Sequence, residues 1–343
     1  MRLFPFIFIF LFLSACSHKQ PELIAKKLEH HPVGYLSYWS WVKKFNLETK
    51  IHTKLTDEVT EYLNLWKESY DLTPATNLYP SQISNENFEH VFRYAILSYP
   101  RMHKIRLNKR LKAIFLVKGL GVSTIMVELK SSQTKHTGQF IAFLDQEVLN
   151  QKINDWYRWR ELTAFKIDAD YSFNPYLSHE NNVVDTIHYT MAHLFAITLN
   201  WDPKYYPETG GELITKFDSF ELIKESWKLD NEIISPKFAS FPEDLNYIRY
   251  YTLDDKLFTT KDMPEFYSSL LGTNFPNLFA LSSSSKDFIE SIANYMHTVV
   301  LDKPFSVDIK NQGKIVETFN SCWQQSRCQS KRKVIEKILE FEK

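Results

Sequence analysis

The sequence predicts an α+β fold in which a small, mostly antiparallel sheet packs on a central helix, with a helical part toward the C-terminus. Two observations carry this. Three β-like runs lie close together: A-I-F-L-V-K (113–118), V-S-T-I-M-V-E-L (122–129) and G-Q-F-I-A-F-L-D (138–145). Gly119-Leu120-Gly121 and the polar S-S-Q-T-K-H-T between them have hairpin length. After them, V-V-D-T-I-H-Y-T-M-A-H-L-F-A-I-T-L-N (183–200) has the length and apolar richness of a core helix, with two histidines in its middle.

The chain opens with Arg2, an apolar run from Leu3 to Leu13, and Leu13-Ser14-Ala15-Cys16. A run this short suits the h-region of a secretory signal and is too short to cross a bilayer. The four residues ending at Cys16 resemble the lipobox of bacterial lipoproteins. That resemblance implies a signal peptide over 1–15, a lipid on Cys16 that anchors the chain to a membrane and, with Ser17 next, sorting to the outer membrane facing the periplasm. The 328 residues after the leader suffice for one large or two ordinary domains. We expect a tether over 16–30, one globular domain over 31–321 and a tail over 322–343. With Cys16 lipidated, Cys322 and Cys328 form an even pair in an oxidising compartment and read as a disulfide that staples the tail.

His30-His31-Pro32 follows the tether and reads as solvated. The rings at Tyr35, Tyr38, Trp39 and Trp41 either pack on the core or pave a sugar- or peptide-binding face. Helical spacing marks residues 56–70 and 85–99, the second ended by Pro100. The basic stretch 101–112, which mixes Ile105, Leu107 and Leu111 with charge, reads as a solvated strand face. Beyond the sheet, Trp156, Trp159 and Phe165 precede a turn at Asn174-Pro175. The central helix starts near Asn182 with Asp185 in its first turn, where a carboxylate favours the positive helix end. Residues 202–276 are punctuated by proline, with short helices expected at 217–227 and 242–251. A helix over 286–300, capped by the serine run 282–285, closes the body. The tail helix, 330–341, carries a docking stripe of Val334, Ile335, Ile338 and Leu339.

The run I-H-Y-T-M-A-H-L-F-A-I in the central helix and the later F-P-N-L-F-A-L-S-S-S-S-K-D-F-I-E-S-I-A-N-Y-M (275–296) together resemble the zincin metallopeptidases. In that family an apolar lead-in is followed by H-E-x-x-H, and a later D-F-x-E step supplies a glutamate as third zinc ligand. The resemblance implies a zincin-like fold over about 113–300 and places Glu290 at the third-ligand position, with Asp287 one turn before it. H-E-x-x-H works because positions i and i+4 face the same way and both imidazoles reach one Zn²⁺ while the glutamate activates water. Here that motif is lost. If His193 is the first ligand, Leu194 replaces the base and Ile197 the second histidine; if it is the second, Tyr189 and Thr190 take those places. The first register aligns the apolar lead-in better. His188 rescues neither, because five residues place it about 140° around the helix.

His193 and Glu290 are therefore a vestigial metal pair, fewer than the three protein ligands of a catalytic zinc. Asn294 and His297 share a face with Glu290, but His297 lies about 10 Å along the axis. His179 and Glu180 sit just before the central helix. No cofactor is expected, with zinc the one to test. Lys plus Arg and Asp plus Glu balance at 41 each, so no global field draws nucleic acid. Gly119-Leu120-Gly121 lacks the third glycine of a phosphate loop, and no G-x-S-x-G supports a serine hydrolase. The expected function is that of a lipid-anchored envelope protein with an inactive metallopeptidase-like domain, binding a peptide, glycan or protein ligand or serving structure alone. Two alternatives remain: a metallohydrolase with ligands drawn from His179, His188, His193 and Glu290, and an envelope assembly factor unrelated to peptidases.

Overall fold

A computed structural model describes residues 19–42, 47–69, 81–82, 86–132, 135–207, 210–238, 248–251 and 256–341. The leader, Cys16 and most of the short helix expected at 242–251 lie outside these residues. The N-terminal elements are α1 (Lys19–His30), three short 3-10 turns, β1 (Ile51–His52), α2 (Asp57–Ser69), β2 (Ser81–Gln82), α3 (Glu86–Ser98) and α4 (Arg101–Arg110). Most of the expected tether is thus helix α1, whose Ile24 is buried while Leu23 stays exposed. The basic stretch is a helix as well, not a strand face. Pro100 stands at the N-cap of α4, and Arg, Lys, Met and Leu all favour helix over its ten residues. The helical register turns Arg106 and Leu107 inward and leaves Ile105 outside.

The main sheet follows, with β3 (Leu111–Lys118), β4 (Thr124–Ser132) and β5 (Lys135–Asp145). It is mixed rather than mostly antiparallel. β1 and β5 flank β3 in parallel, β4 runs antiparallel on the far side of β5, and β2 pairs antiparallel with β3. Only β4 and β5 form the expected hairpin. The loop after β3 instead crosses the end of β5, and the Asp145 carboxylate fixes it there by accepting the Leu120 amide at 2.8 Å. Gly119 and Gly121 take positive φ of 76° and 77°, the region glycine enters at little cost. The unbroken apolar run 113–117 of β3 suits a central strand buried on both faces.

One face of this sheet packs on Val33, Trp39, Val42 and α2, so Trp39 serves the core while Trp41 stays half exposed. The other packs on α3 and on α7 (Val183–Asn200), which comes after α5 (Gln146–Leu149), α6 (Ile153–Leu162), β6 (Phe165–Lys166) and β7 (Tyr171–Tyr176). The Asn182 side chain caps α7 by accepting the Asp185 amide at 2.8 Å. Then come α8 (Gly210–Thr215), α9 (Glu221–Lys224), the hairpin β8 (Trp227–Asp230) and β9 (Ile233–Pro236), β10 (Phe258–Thr259) and α10 (Met263–Leu270). Helix α11 (Ser284–Tyr295), capped by Ser283, continues into a π-helical turn over Met296–Val300. Strands β11 (Ser306–Asn311) and β12 (Lys314–Asn320) join β7 in an antiparallel sheet. Cys322 and Cys328 are joined by a disulfide, and α12 (Gln329–Phe341) docks through Ile335 and Ile338 on the core of α7 and α11. A second core gathers α6, β7, α10, β11 and β12. Helix α7 contributes to both cores, through Tyr189 to the second, and packs on α11.

Candidate functional site

The seam between these cores holds a cluster of buried charges. Its centre is the Glu290 carboxylate on α11, fully enclosed. His193 of α7 brings Nε2 to 2.8 Å from Glu290 Oε1, an ion-pair distance at which the ring N–H is not aimed along the contact. Arg160 of α6 brings Nη1 to 3.0 Å from the same oxygen. The other oxygen, Oε2, accepts from Asn277 Nδ2 at 2.6 Å and from the Tyr189 hydroxyl at 3.4 Å. The two sequence-derived site residues, far apart in the chain, therefore touch.

Arg160 has a second carboxylate. Its Nη2 donates to Glu161 Oε1 at 3.1 Å, while the Tyr250 and Tyr267 hydroxyls donate to Glu161 Oε2 at 3.1 and 3.0 Å. The guanidinium carbon lies 5.3, 4.6 and 5.1 Å from the ring centroids of Trp156, Tyr157 and Phe279. A planar cation that stacks on rings and forks between two carboxylates is what arginine supplies and lysine does not. Burial alone would raise the Glu290 pKa; Arg160 and His193 overcome it and hold the carboxyl down at about 2. Burial pushes Glu161 up, and Arg160 only partly counters it. Burial, then the Glu290 charge, raises the Tyr189 hydroxyl, which stays a neutral donor.

His193 is the one member of the cluster with an opening to solvent, at 14% exposure, and Ile197 one turn on is also only partly buried. The remaining histidines are dispersed. His188 is buried on another face of α7, where Nε2 donates to Ala95 O at 3.0 Å and lies 3.1 Å from Ser98 Oγ, tying α7 to α3. His179 is exposed, its Nδ1 2.5 Å from the Tyr176 hydroxyl. Glu180 accepts from Asn182 Nδ2 at 2.7 Å. His297 donates from Nε2 to Leu177 O at 2.8 Å, and burial lowers its pKa to about 4. Asn294 Oδ1 accepts from Trp323 Nε1 at 2.7 Å. The atypical ligand set does not converge.

The resemblance implies zinc, and the donors present do not fit it. Among the described residues no three His, Cys, Asp or Glu side chains form a metal-holding group. A dication bridging His193 and Glu290 would share Oε1 with a guanidinium already 3.0 Å from it. Catalytic zinc requires three protein ligands and an open position. Leu194, where a general base would stand, is a buried core residue.

Sequence reasoning missed Arg160, Glu161, Asn277 and helix α6 itself. The available signal was an Arg-Glu pair inside the aromatic run W-Y-R-W-R-E-L, where charge among rings marks a buried, paired group. A surface hollow of about 720 Å³ lies elsewhere, between residues 214–219 and 224–229. In comparisons with protein-family models, curated proteins and solved structures, nothing matches the chain.

Proposed function

We propose that this chain is a lipid-anchored protein of the bacterial cell envelope, sorted to the outer membrane and facing the periplasm. In this reading its main domain is a metallopeptidase-like scaffold that binds a peptide, glycan or protein partner, or serves structure alone, without hydrolysis. One observation carries the proposal: His193 and Glu290 meet on a single carboxylate oxygen that Arg160 also holds. A guanidinium replaces the positive charge that a metal would place beside Glu290, but it has no open coordination position and does not acidify water. Charge balance is kept while the chemistry is removed. The Leu13-Ser14-Ala15-Cys16 leader supports the anchor.

The meeting of His193 with Glu290 favours this scaffold over an unrelated assembly factor, for which the two helices need not converge. The separation of His179 and His188 from that pair speaks against the atypical metallohydrolase. Metal analysis of the purified full chain with a peptidase assay tests the proposal. We expect zinc far below one per chain and no peptide hydrolysis. Stoichiometric zinc and peptidase activity, both lost in His193→Ala, would overturn it.

A further inference from the structure

We infer that the outward face of α3 and α4 is a contact surface for anionic phospholipid, laid against the membrane in which the chain is anchored. The inference rests on the lipid-anchor reading above. On α3 the exposed positions include Asn87, His90, Tyr94 and Leu97, spaced three and four apart, with Ser98 beside Leu97; on α4 they are Arg101, Ile105 and Lys109, spaced four apart. Helix α4 follows α3 directly after Tyr99-Pro100, and Lys104 Nζ donates to Leu97 O at 2.8 Å, which ties the end of α3 to the start of α4. Three large apolar groups project from this corner: Tyr94 at 62%, Leu97 at 56% and Ile105 at 49% exposure.

The sequence through this corner is basic. Residues 87–112 contain seven Lys and Arg and one carboxylate, Glu89, in a chain of zero net charge. Glu89 is taken by Arg93 at 2.7 Å, and Asp202 takes Arg106 and Arg110 at 3.2 and 3.1 Å. Arg101, Lys104, Lys109 and Lys112 are left with no carboxylate partner among the described residues. A second copy of this face would set cations against cations. Lipid phosphates neutralise them, while Tyr94, Leu97 and Ile105 reach the acyl boundary, the pairing of charge and apolar area that interfacial binding uses. The Cys16 lipid would hold the domain beside the surface, so that a basic and apolar face is presented to the headgroups at high local concentration.

The test places an environment-sensitive fluorophore at Ile105→Cys on the full lipidated chain. This chain is reconstituted in vesicles of phosphatidylcholine alone or mixed with phosphatidylglycerol. A blue shift with quenching by a bilayer-borne quencher is expected only where phosphatidylglycerol is present. The same probe at Ile167→Cys, also exposed, should stay water-like. Arg101→Glu with Lys109→Glu should cut the bound population roughly tenfold or more. No shift with phosphatidylglycerol, an equal shift without it, or a shift in detergent before vesicles form (a second copy covering the face) overturns the inference. The mass of the N-terminal peptide reports separately whether Cys16 carries lipid. If it does not, the anchor reading fails, and the same probe on chain added to preformed vesicles still decides the surface.

Discussion

Helix α11 carries two buried carboxylates one turn apart, and their surroundings are built on different plans. Asp287 accepts from one cation, Lys331 of α12, at 2.5 Å, and from Trp227 Nε1 and Ser291 Oγ at 3.1 and 3.0 Å. That pair is closed and fastens the tail to the body. Glu290 shares its cation with a second carboxylate, Glu161, and keeps a histidine that reaches solvent. A staple has one donor set per charge and no outlet. The Glu290 cluster has more partners than stapling needs and one open edge, at His193.

This contrast predicts a hierarchy of losses. Arg160→Ala should be the most damaging substitution, because it strands both Glu161 and Glu290 in the interior. Removing one partner of a buried pair costs about 3–5 kcal/mol, and two carboxylates depend on this one, so a loss at or above that range is expected in urea unfolding. A loss under about 1 kcal/mol would mean that water reaches the cluster and that the comparison fails. Lys331→Met should cost about 3 kcal/mol, since Trp227 and Ser291 still donate to Asp287. Adding Asp287→Leu should recover part of that loss. No single second change can recover Arg160→Ala.

Acid unfolding separates Glu290 from Glu161. The Glu290 carboxyl is held at about 2 when folded, against an ordinary 4.5. A depressed folded pKa contributes stability that is present above about 4.5 and is lost as pH falls toward 2, up to about 3 kcal/mol. Glu161, raised by burial, takes its proton earlier in the folded state and works in the opposite direction. The acid limb should therefore be shallower than Glu290 alone would give, and Glu290→Gln should flatten it. An unchanged limb in that variant would sink the assignment.

Much of this was legible in the sequence, for reasons that can be named. The bounds of α7 and α12 follow from Asn182 and from the stripe of Val334, Ile335, Ile338 and Leu339. The separation of His188 from His193 follows from 100° per residue, whereas no local pattern gives the contact of His193 with Glu290. The crossover from β3 to β4 was hidden, because a short glycine loop serves a hairpin and a turn over a strand end equally well. Helix α4 was hidden because Ile105, Leu107 and Leu111 mimic a period of two, although Ile105 faces water and Leu107 the core. Arg160 was hidden for a different reason. No local spacing brings residue 160 to residue 290; only the packing of α6 against α7 and α11 does.

The smallest effect belongs to a second lysine on α12. Lys337 lies 2.8 Å from Glu221, as Lys331 lies 2.5 Å from Asp287, but both members of the Lys337 pair are half exposed. Its Coulomb gain is screened by water, and two long side chains lose freedom to form it. Lys337→Ala should therefore cost about 0.5 kcal/mol or less and vanish in high salt, measured beside Lys331→Met in the same unfolding series. Both substitutions remove a lysine from one helix, one from a buried pair and one from a half-exposed pair. Equal costs would mean that charge pairing itself holds α12. The expected several-fold gap assigns the cost at Lys331 to the stranded Asp287, the same physics that makes Arg160 irreplaceable beside Glu290.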